Sequence, residues 1–255
     1  MAGVKKSRMR KIYFLRFLFR AGALLALIAL CIFRPETANI IEGFAVLREF
    51  HPAHLFLYFL WCIWMFDMVF QLIPSRGMFA MGSQKVFHRN YHPCANCEKV
   101  DRRALRRRLY KEALRVWIFW GPLTVALAAA WFMWLKPAGA YWFPLLFVVA
   151  FYVCDLICVL FWCPFRVWFM KNRCCTTCRI FNWDHLMMFL HLLFIPGFFT
   201  LSLGIASVII FLVWEVLFHR HPERFWDRSN RALRCISCTD QLCGRRPVAS
   251  ERKDT

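Results

Sequence analysis

Residues 141–163, YWFPLLFVVAFYVCDLICVLFWC, form a long apolar stretch in which Asp155 is the one charged side chain. A helix needs about 20 apolar residues to cross the hydrocarbon core of a bilayer. Of the 255 residues in the chain, 60% are hydrophobic and 18% are aromatic, whereas soluble domains average about 45–50% apolar residues. The stretch therefore predicts a transmembrane helix, and the composition predicts several more.

Three further stretches have the length and composition of a membrane span: 17–33, 54–73 and 114–135. A fifth apolar stretch, 185–218, has 34 residues, which as one straight helix would be about 51 Å long. That exceeds the hydrocarbon core of about 30 Å, and Pro196 and Gly197 interrupt the stretch. We predict two short helices, 185–199 and 203–218, that form a hairpin. The fold class is then an all-α polytopic membrane protein with about six transmembrane helices, or five if 185–218 is one kinked helix.

Lysine and arginine are distributed unevenly between the two predicted sides of the membrane. The first 20 residues carry seven, the segment 74–112 ten, the segment 164–184 four and the tail 219–255 nine. The connections on the opposite side, 34–52 and 136–140, carry two and one. Because basic segments stay in the cytoplasm, this pattern predicts a multi-pass protein with both termini cytoplasmic.

The predicted organisation alternates membrane pairs with basic segments. It consists of a basic N-terminus (1–16), two spans (17–73), a basic loop with a cysteine pair (74–113), two spans (114–163), a cysteine loop (164–184), the hairpin (185–218) and a cysteine-containing tail (219–255). The net charge of +19 is spread over segments that flank spans, so we expect anionic lipid headgroups as partners and no nucleic acid. A soluble cytoplasmic partner is a further expectation for an interaction module.

Eight cysteines form three groups, all on the predicted cytoplasmic side: Cys94 and Cys97; Cys174, Cys175 and Cys178; Cys235, Cys238 and Cys243. Stable disulfides are rare in a reducing compartment, and C-x-x-C spacing is typical of metal ligands. We predict a small cysteine-rich metal module with structural zinc, and an iron–sulfur cluster is the alternative. Unliganded thiols are the competing interpretation. Three nearby histidines could replace a cysteine as zinc ligand: His88, His92 and His185.

Five of the ionisable residues within the predicted spans form a possible intramembrane polar site, since charged groups are unfavourable in the bilayer and usually mark a function or a buried pair: Arg20, Asp67, Asp155, His191 and Glu215. They form either a polar site open to the cytoplasm or interhelical pairs, chiefly Arg20 with Asp67 or Asp155. Three functions follow from these alternatives. The protein is a membrane scaffold or interaction module with a metal site, an iron–sulfur electron-transfer protein, or a cation or metal transporter that uses the intramembrane carboxylates. Whether it is an enzyme is left open.

Overall fold

The computed structural model describes residues 8–33, 52–74, 82–94, 101–170, 182–234 and 242. Within these ranges the protein is helical and contains no strand. Six main helices follow one another: α1 (Arg8–Phe33), α2 (Pro52–Leu72), α3 (Arg102–Ala130), α4 (Trp142–Leu160), α5 (Asp184–Phe189) and α6 (Phe198–Arg220). Trp131–Leu135 continues α3 as a π-helix, and Leu190–Phe194 continues α5 as a 3₁₀-helix.

Shorter pieces lie between and after the main helices. They are the 3₁₀-helices Gly82–Val86, His88–Asn90, Pro222–Phe225 and Arg231–Leu233, and the π-helix Phe165–Met170.

Five helices of the described chain are long and apolar enough to cross a membrane: Met9–Phe33, His54–Leu72, Arg102–Leu135, Trp142–Leu160 and Phe198–Arg220. The predicted all-helical architecture with membrane-spanning helices is confirmed to this extent. The third of them is longer than its predicted span because the basic segment joins it as one continuous helix. Asp101 caps its N-terminus by accepting a hydrogen bond from the backbone nitrogen of Arg103 at 2.8 Å.

The stretch 185–218 is neither one helix nor two full spans. The 11 residues of Asp184–Phe194 are about 19 Å long, whereas α6 is about 35 Å long. The predicted pair of helices is therefore present, but only α6 is long enough to cross a membrane, so the described chain has five candidate spans and not six. The break lies at 195–197, earlier than predicted, because the Thr200 hydroxyl donates to the carbonyl of Ile195 at 2.6 Å and thus begins α6 instead of ending α5.

Helices α5 and α6 pack as an antiparallel hairpin. Trp183, just before α5, contacts Phe211 and Glu215 near the end of α6, and Leu193 packs against Gly204 near its start. A Cβ atom at position 204 would overlap the Leu193 side chain, so the close approach of the two helices requires glycine there. The hairpin returns the chain to the side from which it started, although α5 is short.

The contacts place six helix ends together at one end of the bundle. Tyr13 near the start of α1 packs with Val116 of α3 and Leu160 at the end of α4. Gln71 at the end of α2 bonds Asp184 at the start of α5. We call this end, which also holds residues 82–94 and 222–234, the basic end. The far end holds the turn 136–140, in which Gly139 adopts a positive φ of 68°.

The core is aromatic and joins four helices. Trp64 of α2 is completely buried, and its ring packs edge-on against Tyr152, Phe189 and Phe199 at centroid distances of 5.9, 5.3 and 6.3 Å. These partners lie on α4, α5 and α6. Because edge-to-face aromatic pairs have a preferred geometry, they define how the four helices are rotated relative to one another.

Candidate functional site

A buried arginine joins three helices at the level of the basic half of the bundle. The Arg20 side chain on α1 is 7% exposed, and its Nη1 donates to Asp155 Oδ2 at 3.0 Å and to the Tyr152 carbonyl at 2.8 Å. Its Nη2 lies 3.8 Å from Asp67 Oδ2 on α2. We call Arg20, Asp67, Tyr152 and Asp155 the charge cluster.

The sequence places these groups together through helical spacing. Tyr152 and Asp155 are three residues apart on α4 and therefore share a face. The Tyr152 ring lies under the guanidinium, with 3.5 Å between its centroid and Cζ of Arg20, and the Tyr152 hydroxyl donates to Asp67 at 3.4 Å. The charge cluster thus holds one positive and two negative groups, all with partners. The Arg20 side chain is buried and that of Asp155 is 16% exposed, so an unpaired charge at either would be strongly destabilising, whereas Asp67 is 31% exposed.

A second polar group lies beside the charge cluster and was missed in the sequence. Gln71 Nε2 donates to both carboxylate oxygens of Asp184, at 3.3 and 3.4 Å. Nδ1 of the buried His185 lies 2.8 Å from Asp184 Oδ1. Gln71 follows Asp67 by one helical turn on α2, and this i, i+4 spacing is the signal that could have revealed it.

Two of the predicted intramembrane residues lie apart from the charge cluster. Glu215 on α6 accepts a hydrogen bond from Nε1 of Trp183 at 2.8 Å. His191, on the 3₁₀-helix that continues α5, packs between Trp120 and Phe147, with ring-centroid distances of 6.1 and 4.7 Å. The structure therefore brings together Arg20, Asp67 and Asp155, and it separates these three from Glu215 and His191.

The segments 82–94 and 222–234 are hydrogen-bonded to each other at the basic end. The backbone nitrogen of Arg231 donates to the His92 carbonyl at 2.8 Å, and that of Cys94 donates to the Ser229 carbonyl at 3.2 Å. Pro93 and Asn230 form an isolated antiparallel bridge between these bonds. We call this contact the loop–tail junction.

Asn230 is the centre of the loop–tail junction. Its side chain is completely buried and donates to the carbonyls of Lys85 at 3.0 Å and Arg224 at 2.9 Å. Its amide oxygen accepts from the backbone nitrogen of Ala232 at 3.1 Å. The same oxygen also accepts from the backbone nitrogen of His92 at 3.4 Å, so one side chain satisfies four backbone groups and ties the two segments together.

The predicted metal ligands fall mostly outside the described residues. Cys94 is half-buried at the loop–tail junction, whereas seven of the predicted ligands lie outside the described ranges: Cys97, Cys174, Cys175, Cys178, Cys235, Cys238 and Cys243. The side chains of His88 and His92 are exposed, and His185 is bonded to Asp184. Among the residues that the structure describes, no group of three or more His, Cys, Asp or Glu side chains is placed to hold a metal ion.

Positive charge is concentrated at the basic end. The first turns of α3 carry exposed basic side chains, and one of them, Arg102, has its Nε 3.4 Å from Glu223 beside the loop–tail junction. The described residues of the far end include one basic side chain, Lys136. The two ends of the bundle therefore differ strongly in charge.

Comparison with protein-family models, with curated proteins and with solved structures finds no match to this chain. The residues and their arrangement are therefore the guide to function.

Proposed function

We propose that the protein is a membrane scaffold or interaction module in which cysteines at the basic end ligate a structural metal ion, with zinc as the metal. The loop–tail junction is the observation that carries this proposal. It docks the segment that contains Cys94 against residues 229–231, and Cys235 follows four residues later in the chain. Two C-x-x-C pairs, from 94 to 97 and from 235 to 238, would supply the four thiolates of a closed zinc site.

A structural metal suits the chemistry of the basic end. The segments 82–94 and 222–234 anchor Val86 and Phe225 in the core of the bundle, whereas the contact between the two segments depends on polar groups such as those of Asn230. A metal ion bound by both segments would add cohesion that hydrophobic burial does not supply there. Nearby arginines, including Arg234, would favour thiolate over thiol.

The charge cluster supports a scaffold over a cation transporter. Both carboxylates already lie within 4 Å of the Arg20 guanidinium, at 3.8 and 3.0 Å. A transported cation would have to displace this fixed positive charge from its two partners. The cluster is better explained as a clamp that holds α1, α2 and α4 together.

The orientation that we propose places the basic end in the cytoplasm. The described positive charge lies at the helix ends that form this end, and positively charged flanks stay on the cytoplasmic side. The exposed side chains of Arg103 and Arg107 on the first turns of α3 would then face anionic headgroups, which attract such residues by about 1 kcal/mol each.

Elemental analysis of the purified full-length protein tests the proposal. We expect zinc near stoichiometric amounts and a loss of at least half of it in Cys97→Ser and Cys238→Ser. Cys62→Ser is the matched control, because Cys62 is an exposed thiol on α2 outside the basic end, and its metal content should not change. Freely titratable thiols without zinc or iron would refute the metal site. Iron with visible absorption would replace the scaffold by the electron-transfer alternative.

A further inference from the structure

His191 is a buried imidazole to which the described part of the chain offers no well-formed hydrogen bond. The residue is 5% exposed, and neither ring nitrogen has a partner of good geometry. The backbone of Met188, on the preceding turn, provides only a poorly aligned contact. Buried polar side chains are normally paired, so an imidazole of this kind is expected where it binds a group from outside the chain.

The imidazole lines a shallow groove between three helices, and the cavity there has a volume of about 20 Å³. Leu127 and Trp131 come from α3 and its π-helical end, Phe143 and Phe147 from α4, and Phe194 from the end of α5. Trp131 is buried, whereas Leu127, Phe143, Phe147 and Phe194 are half-buried and form the rim. The groove therefore opens on the outer surface of the bundle, where lipid surrounds it.

The depth of the groove selects the kind of ligand that reaches it. Phe147 lies five residues inside the start of α4, which corresponds to about 8 Å from the far end of that helix. Trp142, at the start of α4, is suited to the membrane interface. Groups at the depth of His191 are thus below the headgroup region, in the hydrocarbon of the bilayer.

We propose that this groove binds the ring of a lipid-soluble quinone, with one quinone carbonyl accepting a hydrogen bond from the His191 imidazole. A quinone combines a flat apolar ring, which stacks on aromatic walls once Phe147 has rotated aside, with carbonyl oxygens, and its tail dissolves in the bilayer. A phospholipid carries its charged headgroup at the interface, above this depth. The proposal concerns binding alone and does not depend on metal at the cysteines.

One wall of the groove has to move for the ring to reach the imidazole. The Phe147 ring packs against His191 with 4.7 Å between the ring centroids, and it is half-buried at the bilayer surface. Rotation of a partly exposed side chain is fast, so this wall is a gate that a ligand can displace.

Binding of decylubiquinone and of a short-tail 2-methyl-naphthoquinone to the full-length protein in quinone-free nanodiscs tests the proposal. We expect saturable binding of at least one of them, and an azido derivative of that quinone should label peptides that contain Leu127–Trp131 or His191–Phe194. His191→Phe should weaken binding by about tenfold, the effect of losing one hydrogen bond in a dry site. Because this change removes an unpaired polar group, the melting temperature should be unchanged or higher.

Two further variants separate occupancy of the groove from effects on folding. Leu127→Trp fills the groove while leaving His191 intact. It should abolish labelling by the azido quinone. His54→Phe replaces another buried histidine, on α2 and away from the groove, and should leave quinone affinity unchanged. Absence of saturable binding in the wild-type protein, labelling elsewhere, or full affinity in both His191→Phe and Leu127→Trp would overturn the proposal. Equal competition by added phospholipid would assign the groove to lipid and would also overturn it.

Discussion

Removing the Arg20 side chain should destabilise the bundle far more than removing Arg20 and its two carboxylate partners together. The Arg20→Leu variant leaves Asp155, whose side chain is 16% exposed, without the guanidinium that lies 3.0 Å away. At an effective dielectric constant of 20, that separation corresponds to an attraction of roughly 5 kcal/mol. Loss of one partner of a buried pair typically costs about 3–5 kcal/mol, and we expect this range for Arg20→Leu.

The combined variant should recover most of that loss. Desolvation of the charges offsets much of their mutual attraction, so apolar or neutral replacements of similar size are close to neutral. We expect Arg20→Leu combined with Asp155→Leu and Asp67→Asn to lie within about 1–2 kcal/mol of the wild-type protein. Asp67 contributes less than Asp155, because its side chain is 31% exposed and its oxygen lies 3.8 Å from the guanidinium.

The test is the free energy of unfolding, measured by titration with denaturing detergent from mixed micelles. It shows whether the Arg20, Asp67 and Asp155 side chains stabilise the protein jointly or independently. Arg20, Asp67 and Asp155 are changed alone and in combination. The interaction energy between them is then calculated from the double-mutant cycles. Arg16→Leu is the matched control, since Arg16 lies one turn earlier on α1 and outside the charge cluster. Additive effects, with an interaction energy below about 0.5 kcal/mol, would refute the idea that the cluster clamps three helices.

Three other changes test separate parts of the structure. Gly204→Ala should destabilise the protein by about 1–3 kcal/mol, because the added Cβ overlaps Leu193. Gly22→Ala is the control and should not destabilise it, because the space around Gly22 is open; thermal unfolding in detergent measures both variants. Asn230→Ala should speed amide hydrogen exchange in residues 85–94 and 224–234 and leave α4 unchanged, and equal exchange at the loop–tail junction would contradict its role. A reporter fused at Ala138 should be external while one at the C-terminus is cytoplasmic, and two reporters on the same side would exclude the proposed orientation.

The break in the stretch 185–218 was predicted only in part from the local sequence. Pro196 lacks a backbone N–H, so an interruption near it was predictable from the sequence. The exact residues at which the interruption begins and ends were not predictable, because the Thr200 hydroxyl donates to the carbonyl of Ile195 and thereby begins the next helix. The close approach of Leu193 to Gly204 was not predictable either, because it depends on how the two halves of the hairpin pack.

The candidate site also contains residues that the sequence predicted and residues that it did not. The sequence identified Arg20, Asp67 and Asp155 as charged residues in apolar stretches, where they are energetically unfavourable. It left two interpretations, interhelical pairs or an open polar site, and the structure brings the three residues together as pairs. His191 and Glu215 carried the same signal and yet lie elsewhere. Gln71 and Tyr152 could have been recognised only through their helical spacing from Asp67 and Asp155, and Asn230 has no such spacing to a predicted site residue.

The amino-acid sequence alone indicated a helical membrane architecture and the basic character of one side. In lipid every backbone polar group must be satisfied within its own segment, so a long apolar stretch such as 141–163 has few alternatives to a helix. Which side chains meet depends on how the helices pack in three dimensions. A helix that is apolar all round has no preferred face, so its rotation comes from packing, as Trp64 shows against three neighbouring helices. The loop–tail junction joins positions such as Pro93 and Asn230 that are far apart in the chain, and these meet because the bundle brings the ends of α2 and α6 together.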